Sequence, residues 1–399
     1  MISVERYTGK PKLLVLAGGL GILGMVLTGV GFVTNAKATA HAYLIAFCYW
    51  VGISVASLLM VAIFHTAKAK WTTVLRRAME TMAIAVPIFF LLGLVLVPFL
   101  KHLYPWMWGK EELLKLYTSV EVSHLEHKQH GYLNVPFFVA RQLIYFGVWT
   151  FVSHRLHSWS TRQDETGDLA LTVKARMFSP GSLPFLALTI TFASFDWLMS
   201  LTPLWQSTMF GVYYFAGSFL AAFCVLTIAT VNAQGKDLYG NLVTTAHFHN
   251  LGKLMLAFTA FWAYIAFSQF MLIWIANLPE EAPWYHIRIN GPWHNLSASL
   301  FFLHFLLPFA ILLSRNLKLQ PRKLAVVAVY ILVIHYVDLY WLVWPAHSEA
   351  SPSFHWTLIT AFLGVGGISV AFALWRAGGK YTVPVKDPYI SDSLRYVQP

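Results

Sequence analysis

The sequence has few charged residues for its length. Asp, Glu, Lys and Arg together make up 11% of the 399 residues, whereas 57% of the residues are hydrophobic. Soluble globular domains carry about 25% charged residues, so this scarcity excludes an ordinary soluble domain. Most of the charges lie between long apolar runs, which indicates a protein embedded in a membrane.

Cysteine is also scarce. The two cysteines, Cys48 and Cys224, both lie within apolar runs, and the sequence contains no Cys-x-x-Cys or Cys-x-x-Cys-His motif. Iron–sulfur clusters and c-type haems are held through such clustered cysteines. The sequence therefore offers no cysteine ligand set for an iron–sulfur cluster or a c-type haem, and both cysteines are predicted to be small buried residues.

The alternation of apolar and polar residues that marks the strands of a membrane β-barrel is missing as well. Instead, the sequence contains ten apolar runs, each long enough to cross about 30 Å of hydrocarbon as a helix. These runs are 13–33, 41–64, 82–100, 132–153, 182–202, 208–233, 251–276, 292–314, 324–345 and 354–375. The predicted fold class is an all-α polytopic membrane protein with ten transmembrane helices.

The net charge of +11 is distributed unevenly between the two sides that ten spans create. Lys and Arg cluster in alternate loops, within 6–12, 68–77, 155–176, 236–253, 315–323 and 376–395. Cationic residues in such loops favour the cytoplasmic side, so both termini are predicted to be cytoplasmic. A basic protein can also bind nucleic acid, but charges placed beside membrane spans predict contact with lipid and no nucleic-acid partner.

The longest stretches between the apolar runs are 101–131, 154–181 and 377–399, and all three are predicted to be loops. Within the first, apolar residues recur at a helical spacing, which predicts an amphipathic helix lying on the membrane surface. The segment 278–291 is rich in proline, glycine and aromatic residues. It is predicted to be an interfacial loop on the outer face.

A weak internal repeat is visible. Asp196 stands in a Phe-Asp-Trp sequence of the fifth run, and Asp338 stands at nearly the same depth of the ninth run, before Leu-Tyr-Trp. Internal repeats are common in polytopic membrane proteins. The repeat predicts two four-helix bundles and two flanking spans, at 41–202, 208–345, 13–33 and 354–375 respectively.

Charged side chains inside the apolar runs are the most informative feature. Arg141 lies in the fourth run and Asp196 in the fifth, and at 1.5 Å per residue the two can reach the same depth and pair. A charge at bilayer depth costs about 2.5–3.5 kcal/mol on insertion scales, so such residues usually have a role. The pair is interpreted either as a proton or quinol-headgroup site or as a buried ion pair that sets the register of the helices.

A second polar group lies in the eighth and ninth runs. His335 and Asp338 are three residues apart and share a helical face, and His304 lies near the depth of His335. Histidine suits proton relay because its pKa is near neutral pH. Three interpretations stay open: a proton relay, hydrogen-bonded core histidines, and a b-type haem held by His304 and His335, although aromatic residues crowd this region.

Polar residues of the seventh run extend this group toward the cytoplasmic side. His249 and Lys253 lie at the cytoplasmic end of the run, and Tyr264, Ser268 and Gln269 lie farther along it. These residues are predicted to form a polar stripe on the face of the span that packs against the bundle. Such a stripe would transfer protons from the cytoplasmic side toward the eighth and ninth runs. The alternative for His249 and Lys253 is anchoring at the membrane interface, since lysine can extend from a helix end to the headgroups.

Two blocks of the sequence resemble a known family. The first block reads SFDWLMSLTPLW at 194–205 and STMFGVYY at 207–214, and the second reads LGKL at 251–254, FWAY at 261–264 and NLPEE at 277–281. Together they resemble the membrane subunits of alternative complex III, which belong to the polysulfide-reductase membrane-subunit (NrfD-like) family. The second block is similar to the F-type branch rather than to its C-type paralogue.

The resemblance implies an integral subunit of a quinol:electron-acceptor oxidoreductase complex in the bacterial cytoplasmic (inner) membrane. The implied partners are an iron–sulfur subunit, multihaem and monohaem cytochrome c subunits and an NrfD-like paralogue. Haem c and iron–sulfur clusters would belong to those partners, and quinol is a candidate ligand. The role of this chain would be quinone contact, proton transfer and scaffolding without a redox metal of its own. The alternative from another class is a stand-alone ion or solute transporter.

Overall fold

The computed structural model describes residues 6–7, 11–234 and 242–397. These residues are helical and form no strand, in agreement with the predicted all-α class. Two of the cationic residues on which the predicted orientation rests, Lys10 and Lys236, lie outside the described residues.

Ten helical segments of the described chain are long and apolar enough to cross a membrane, as predicted from the apolar runs. We number them α1 (Lys12–Thr34), α2 (Ala36–Thr66), α3 (Lys70–Leu94), α4 (Val135–Thr166), α5 (Ala170–Leu201), α6 (Phe210–Ala233), α7 (Thr245–Ala276), α8 (Gly291–Leu313), α9 (Pro321–Ala346) and α10 (Thr357–Ala377).

The fourth and fifth helices are longer than their apolar runs. Residues 154–181, predicted to be a loop, instead extend α4 to Thr166 and begin α5 at Ala170. The short turn between these two helices contains Gly167, whose φ of +71° lies in the left-handed region that glycine adopts without steric cost. The loop prediction was wrong because the ends of these helices are polar, so hydropathy alone does not reveal them.

Two of the spans are irregular. α3 breaks between the α-helical parts Arg76–Ala83 and Val86–Leu94. α8 contains a π-helical turn at Phe301–Leu306, and Pro308 begins the α-helical part that follows. Proline lacks an N–H group and disrupts the helical hydrogen bonds before it, and π-helical turns often occur at functional sites. His304 lies within this turn.

α2 is the central helix. Its side chains are buried along almost its whole length, and it packs against α1, α3, α4, α5, α6, α9 and α10. Of the ten spans, α2 has the largest buried share, whereas α1 is about as apolar but mostly exposed. The core of the protein is therefore built around α2, and the other spans present one face outward.

α1 packs along α10, mostly outside this core. A Cβ atom added to Gly24 would lie 2.4 Å from the backbone nitrogen of Gly364, and one added to Gly367 would lie 2.5 Å from the Cα of Gly21. Glycines at this contact let the two backbones approach closely, as small residues do in membrane helix pairs.

The side opposite the chain ends carries two short helices. Ser119–Gly131 confirms the predicted helix and buries Val122 and Leu125. Ala282–Ile289 replaces the interfacial loop predicted at 278–291, so that prediction was wrong. Pro283 stands in the first turn of this helix, where its missing N–H group costs nothing, so here proline begins a helix and does not break one.

The side on which the first and last described residues, Arg6 and Val397, lie is called the terminal side. There the C-terminal tail, residues 380–397, packs across the helix ends. Asp387 accepts a 2.7 Å hydrogen bond from Arg76 of α3, and the Tyr396 hydroxyl accepts one of 2.9 Å from Asn250 of α7. The tail thus connects helices that are distant in sequence.

Candidate functional site

The predicted pair of Arg141 and Asp196 is formed. The guanidinium donates two hydrogen bonds of 2.8 Å, from Nε and Nη2, to the two carboxylate oxygens. Asp196 is fully buried and Arg141 is 5% exposed. This bidentate geometry is the strong form of a charge-assisted hydrogen bond. The expected pairing is therefore confirmed, while a role in proton or quinol chemistry stays a prediction.

Neighbouring residues complete the hydrogen bonding of this pair. Tyr145 donates a 2.9 Å hydrogen bond to Asp196, and Nη1 of Arg141 donates one of 2.9 Å to the backbone oxygen of Tyr132. The guanidinium carbon also lies 3.7 Å from the centre of the Tyr132 ring, in a cation–π contact. Buried charges whose polar atoms are satisfied hold their geometry firmly, which supports the interpretation as an ion pair that sets helix register.

A second buried cluster surrounds Asp338 of α9, which is 1% exposed. Tyr213 of α6 donates a 2.5 Å hydrogen bond to its Oδ1 atom. Oδ2 lies 4.0 Å from Nδ1 of His335, one turn earlier on the same helix. That separation is too long for a direct hydrogen bond but can be bridged by water. His335 and Asp338 share a face as predicted, and the structure adds Tyr213 to them.

His304 joins this cluster from the π-helical turn of α8. Its ring centroid lies 6.0 Å from that of His335, and the Trp262 ring of α7 packs against it at 3.9 Å. All four nitrogens of the two imidazoles are buried and make no hydrogen bond to the described residues. Buried polar atoms normally have partners, so these imidazoles are the groups of the cluster that remain available to a proton or a ligand.

The haem interpretation requires room for a flat macrocycle between the two histidines. A Cβ atom added to Gly217 would lie 2.8 Å from Cε1 of His335 and 3.5 Å from Cδ1 of Trp262, so α6 and α7 pack directly on this pair of rings. The residues do not fit a porphyrin there.

The predicted path into this cluster along α7 is not placed as expected. Tyr264 is 63% exposed, Lys253 is also exposed, and His249 is half-buried. The inward face of α7 instead carries Trp262 and Gln269. The predicted stripe facing the bundle is therefore confirmed at Gln269 and wrong at Tyr264 and Lys253, because depth along a helix does not reveal which face packs inward. A role of Tyr264, Lys253 and His249 in proton transfer stays a prediction.

An apolar crevice lies beside the Asp338 cluster, between α7 and α8. Its volume is about 640 Å³, within the range of about 300–1,000 Å³ that is typical of small-molecule sites. Phe267 and Phe301, both exposed on the outer surface of the helices, belong to its walls. The hydroxyl and amide groups that line it belong to Tyr213, Tyr264, Gln269, Tyr285 and Ser297, so the exposed Tyr264 lies at the crevice and not inside the bundle. Tyr213 therefore connects the crevice to Asp338.

A buried cation lies next to this crevice, in the short helix Ala282–Ile289. Arg288 is 2% exposed, and its guanidinium donates hydrogen bonds of 2.9 and 3.0 Å to the backbone oxygens of Trp284 and Leu342. Burial lowers the pKa of Arg288 to about 9 and raises the pKa of the lining residue Tyr285 to about 12. At neutral pH the crevice is therefore flanked by a guanidinium and a neutral phenol.

Several residues of these clusters were not predicted from the sequence. A signal existed for Tyr145, which stands four residues after Arg141 and so shares its helical face. Tyr213 and Asp338 are separated by 125 positions, and no spacing rule connects residues that far apart. Arg288 was assigned to an interfacial loop, which concealed its burial.

A third charged cluster lies at the terminal side. Arg77 of α3 donates hydrogen bonds to Glu80, at 2.7 Å, and to Asp164 of α4, while Arg76 pairs with Asp387 of the tail. All five residues are buried. Because cations and anions alternate within hydrogen-bonding distance, this cluster is suited to joining α3, α4 and the tail.

The ten apolar helices, with buried charges between them, define the chain as a multi-pass α-helical membrane protein. No family model matches the chain, and no curated protein matches it. Its function is therefore argued from the geometry of the site.

Proposed function

We propose that the chain is an integral membrane subunit of a quinol:electron-acceptor oxidoreductase complex of the alternative complex III type, in the bacterial cytoplasmic membrane. In this proposal the chain contacts quinone, transfers protons and holds neighbouring subunits in place. Electrons travel through the haem c and iron–sulfur clusters of the partner subunits. The two cysteines of this chain, Cys48 and Cys224, are buried and unpaired.

The crevice of about 640 Å³ between α7 and α8 is the observation that carries this proposal. A quinone combines a ring bearing two carbonyl oxygens with a long apolar tail, so it needs an apolar slot with a few hydrogen-bonding groups. Tyr213, Gln269 and Tyr285 offer such groups, and the aromatic walls suit the ring and the tail. A crevice walled by outward-facing residues is accessible to a ligand dissolved in the bilayer.

The Asp338 cluster supports a role in proton transfer. Oxidation of a quinol releases protons together with electrons, and Tyr213 is placed to receive a proton from the crevice and to pass its own to Asp338, 2.5 Å away. His335 and His304 continue this series of groups, because their imidazole nitrogens have no hydrogen-bond partner among the described residues. The proton thus has acceptors within the span, while the electrons pass to the partner subunits.

The proposal includes two four-helix bundles, α2–α5 and α6–α9, flanked by α1 and α10, with both termini in the cytoplasm. Asp196 and Asp338 each lie on the last helix of their bundle and each accept a hydrogen bond from a tyrosine. The matching position of the two aspartates supports a repeat, whereas the tyrosines lie on different helices of the two bundles, α4 and α6. The cationic residues of the terminal side support the orientation.

Replacement of Asp338 tests the proton-transfer role in the assembled complex. We expect Asp338→Asn to reduce proton release per electron, because an amide does not exchange a proton near neutral pH, while subunit composition is retained. Quinol oxidation and proton release are measured together in the same vesicles. An unchanged ratio of protons to electrons would leave Asp338 with a structural role alone.

Quinone contact is tested by narrowing the crevice. Ala263 lines it, and we expect Ala263→Phe to raise the KM for quinol because the larger ring occupies the slot. Ala187, an exposed alanine of α5 that does not line the crevice, supplies the matched control Ala187→Phe. Equal KM values in the two variants would refute quinone contact at this position.

The irregular spans favour a second candidate function, a stand-alone ion or solute transporter. α3 is interrupted and α8 contains a π-helical turn, and discontinuous spans often form transport sites. Affinity purification of the chain from its own membranes separates the two functions. Co-purification with subunits that contain c-type haem and iron–sulfur clusters supports the oxidoreductase, whereas a chain that purifies alone and moves solute into vesicles is a transporter.

A further inference from the structure

A second large groove lies on the terminal side. It shares α6 with the quinone crevice, but its α6 lining lies at 225–233, whereas the crevice contacts α6 at Tyr213, near the other end of the helix. α1, α3, α6 and α10 line the groove, and its volume is about 720 Å³. Leu13 and Leu16 of α1 form one wall and are 46% and 58% exposed. Val225 of α6 and Val370 and Leu374 of α10 line the other walls.

The rim of this groove is cationic. Lys12, Lys380, Arg77 and His157 line it, and no carboxylate is found among the described residues that do so. The charge of Arg77 is neutralised by Glu80 and Asp164. Lys12 and Lys380 form no ion pair with a described residue. The groove therefore presents uncompensated positive charge.

Two buried nitrogens beside the rim also lack a partner. Nδ1 of His157 and Nε of Arg77 make no hydrogen bond to the described residues, and these side chains are 7% and 4% exposed. Nε of Arg77 always carries a proton to donate, whereas Nδ1 of His157 donates in one tautomer and accepts in the other. An unpaired guanidinium N–H next to uncompensated lysines favours an anionic ligand.

The polar and apolar parts of the groove lie at different depths. On α10 the lining extends from Ala377, next to the rim, to Val370, which corresponds to roughly 10 Å at 1.5 Å per residue. Over that distance the lining changes from lysine and hydroxyl groups to aliphatic side chains. A ligand that fits has a charged end at the membrane surface and apolar chains directed into the bilayer.

We propose that this groove binds a membrane phospholipid with an anionic headgroup. The phosphate lies at the rim beside Lys12 and Lys380, and the acyl chains lie against Leu13, Leu16 and α10. Basic pockets between transmembrane helices are typical sites for such headgroups. The lipid fills the space between the α1–α10 pair and the core helices α3 and α6, so it stabilises the outer position of α1. This inference is independent of the proposed quinone contact.

Removal of the two lysines tests the headgroup site. The purified full chain is exchanged into phosphatidylcholine nanodiscs with increasing phosphatidylglycerol, and bound lipid is counted by native mass spectrometry. Each basic residue contributes roughly fivefold to the affinity for an anionic lipid, so Lys12→Gln/Lys380→Gln is expected to bind phosphatidylglycerol about thirtyfold more weakly. The matched control is Lys174→Gln/Lys323→Gln, which removes two exposed lysines that do not line the groove.

A second variant fills the apolar part without changing charge. Ala229 of α6 lines the groove and is exposed, so Ala229→Trp is expected to displace the bound lipid, whereas Ala187→Trp is expected to retain it. The unfolding temperature should rise with phosphatidylglycerol in the wild type and not in Ala229→Trp. Three results would overturn the proposal. The wild type could bind phosphatidylglycerol and phosphatidylcholine with equal affinity, or the control Lys174→Gln/Lys323→Gln could lose as much affinity for phosphatidylglycerol as Lys12→Gln/Lys380→Gln. The third is that Ala229→Trp retains all of its bound lipid.

Discussion

Replacing Asp196 with asparagine is expected to destabilise the protein strongly. The side chain keeps its shape but loses its charge, so the Arg141 guanidinium is left without a carboxylate at a position where it is 5% exposed. Removing one partner of a buried ion pair costs about 3–5 kcal/mol, because the remaining charge is uncompensated in a low-dielectric interior. We expect the free energy of unfolding to fall by an amount in this range.

Replacing Arg141 instead of Asp196 is expected to lower the free energy of unfolding by a smaller amount. In Arg141→Met, the carboxylate of Asp196 still accepts hydrogen bonds from Tyr145, at 2.9 Å, and from Gln142, at 3.4 Å. These neutral donors partly stabilise the remaining anion. The double variant removes both charges at once, so its cost should be about 2–3 kcal/mol smaller than the sum of the single costs, near the upper end of measured couplings between contacting residues.

The free energy of unfolding is measured for the purified wild-type chain, the two single variants and the double variant in bicelles, which gives a double-mutant cycle. The yield of assembled complex is then measured for the same variants. The exposed pair of Lys101 and Glu112 serves as the control. It has a similar separation of 2.9 Å, but its side chains are 59% and 46% exposed, and exposed pairs contribute about 0–1 kcal/mol. If the costs at Arg141 and Asp196 add to within about 0.5 kcal/mol, the two residues are uncoupled and the reasoning fails.

Two further predictions concern the histidine cluster. The purified chain is expected to contain no haem, iron or flavin, because the sequence has no clustered cysteines and Trp262 packs on His304 at 3.9 Å; a stoichiometric b-type absorption spectrum that disappears in His304→Ala would contradict this. Gly217→Ala is expected to cost about 1–3 kcal/mol by overpacking, since the added methyl group would lie 2.8 Å from His335. A methyl group on Gly147 would meet nothing within 4 Å, so thermal unfolding of Gly147→Ala provides the comparison, and equal stability of the two variants would show that the site repacks freely.

Several features of the fold were predictable from single stretches of sequence. A bilayer requires about twenty consecutive apolar residues in a helix, and such runs predicted the ten spans that the structure contains. The pairing of Arg141 with Asp196 was also predictable, because depth depends on residue count alone. The helical extensions over 154–181 were missed, since polar helix ends resemble loops in composition.

The candidate site was predicted less completely, because it depends on which face of each helix packs inward. Tyr264 and Gln269 lie on the same span, five residues apart, yet Tyr264 is 63% exposed and Gln269 is 2% exposed. A span with apolar residues on all sides shows little periodicity from which to choose between such faces. Tyr264 was therefore predicted for the proton path from its depth in the span alone, whereas the packing of α7 places its side chain outside the interior.

The sequence by itself determined the number of spans, the helical class and the depth of Arg141, Asp196 and Asp338, because hydrocarbon accepts few alternatives. Only the tertiary structure decided that Tyr213 would bond to Asp338 across 125 positions, and that Arg288 would be buried beside a crevice. The physical reason is that depth follows from a constant rise of 1.5 Å per residue. The rotation of each helix about its axis follows from packing against neighbours that are distant in sequence.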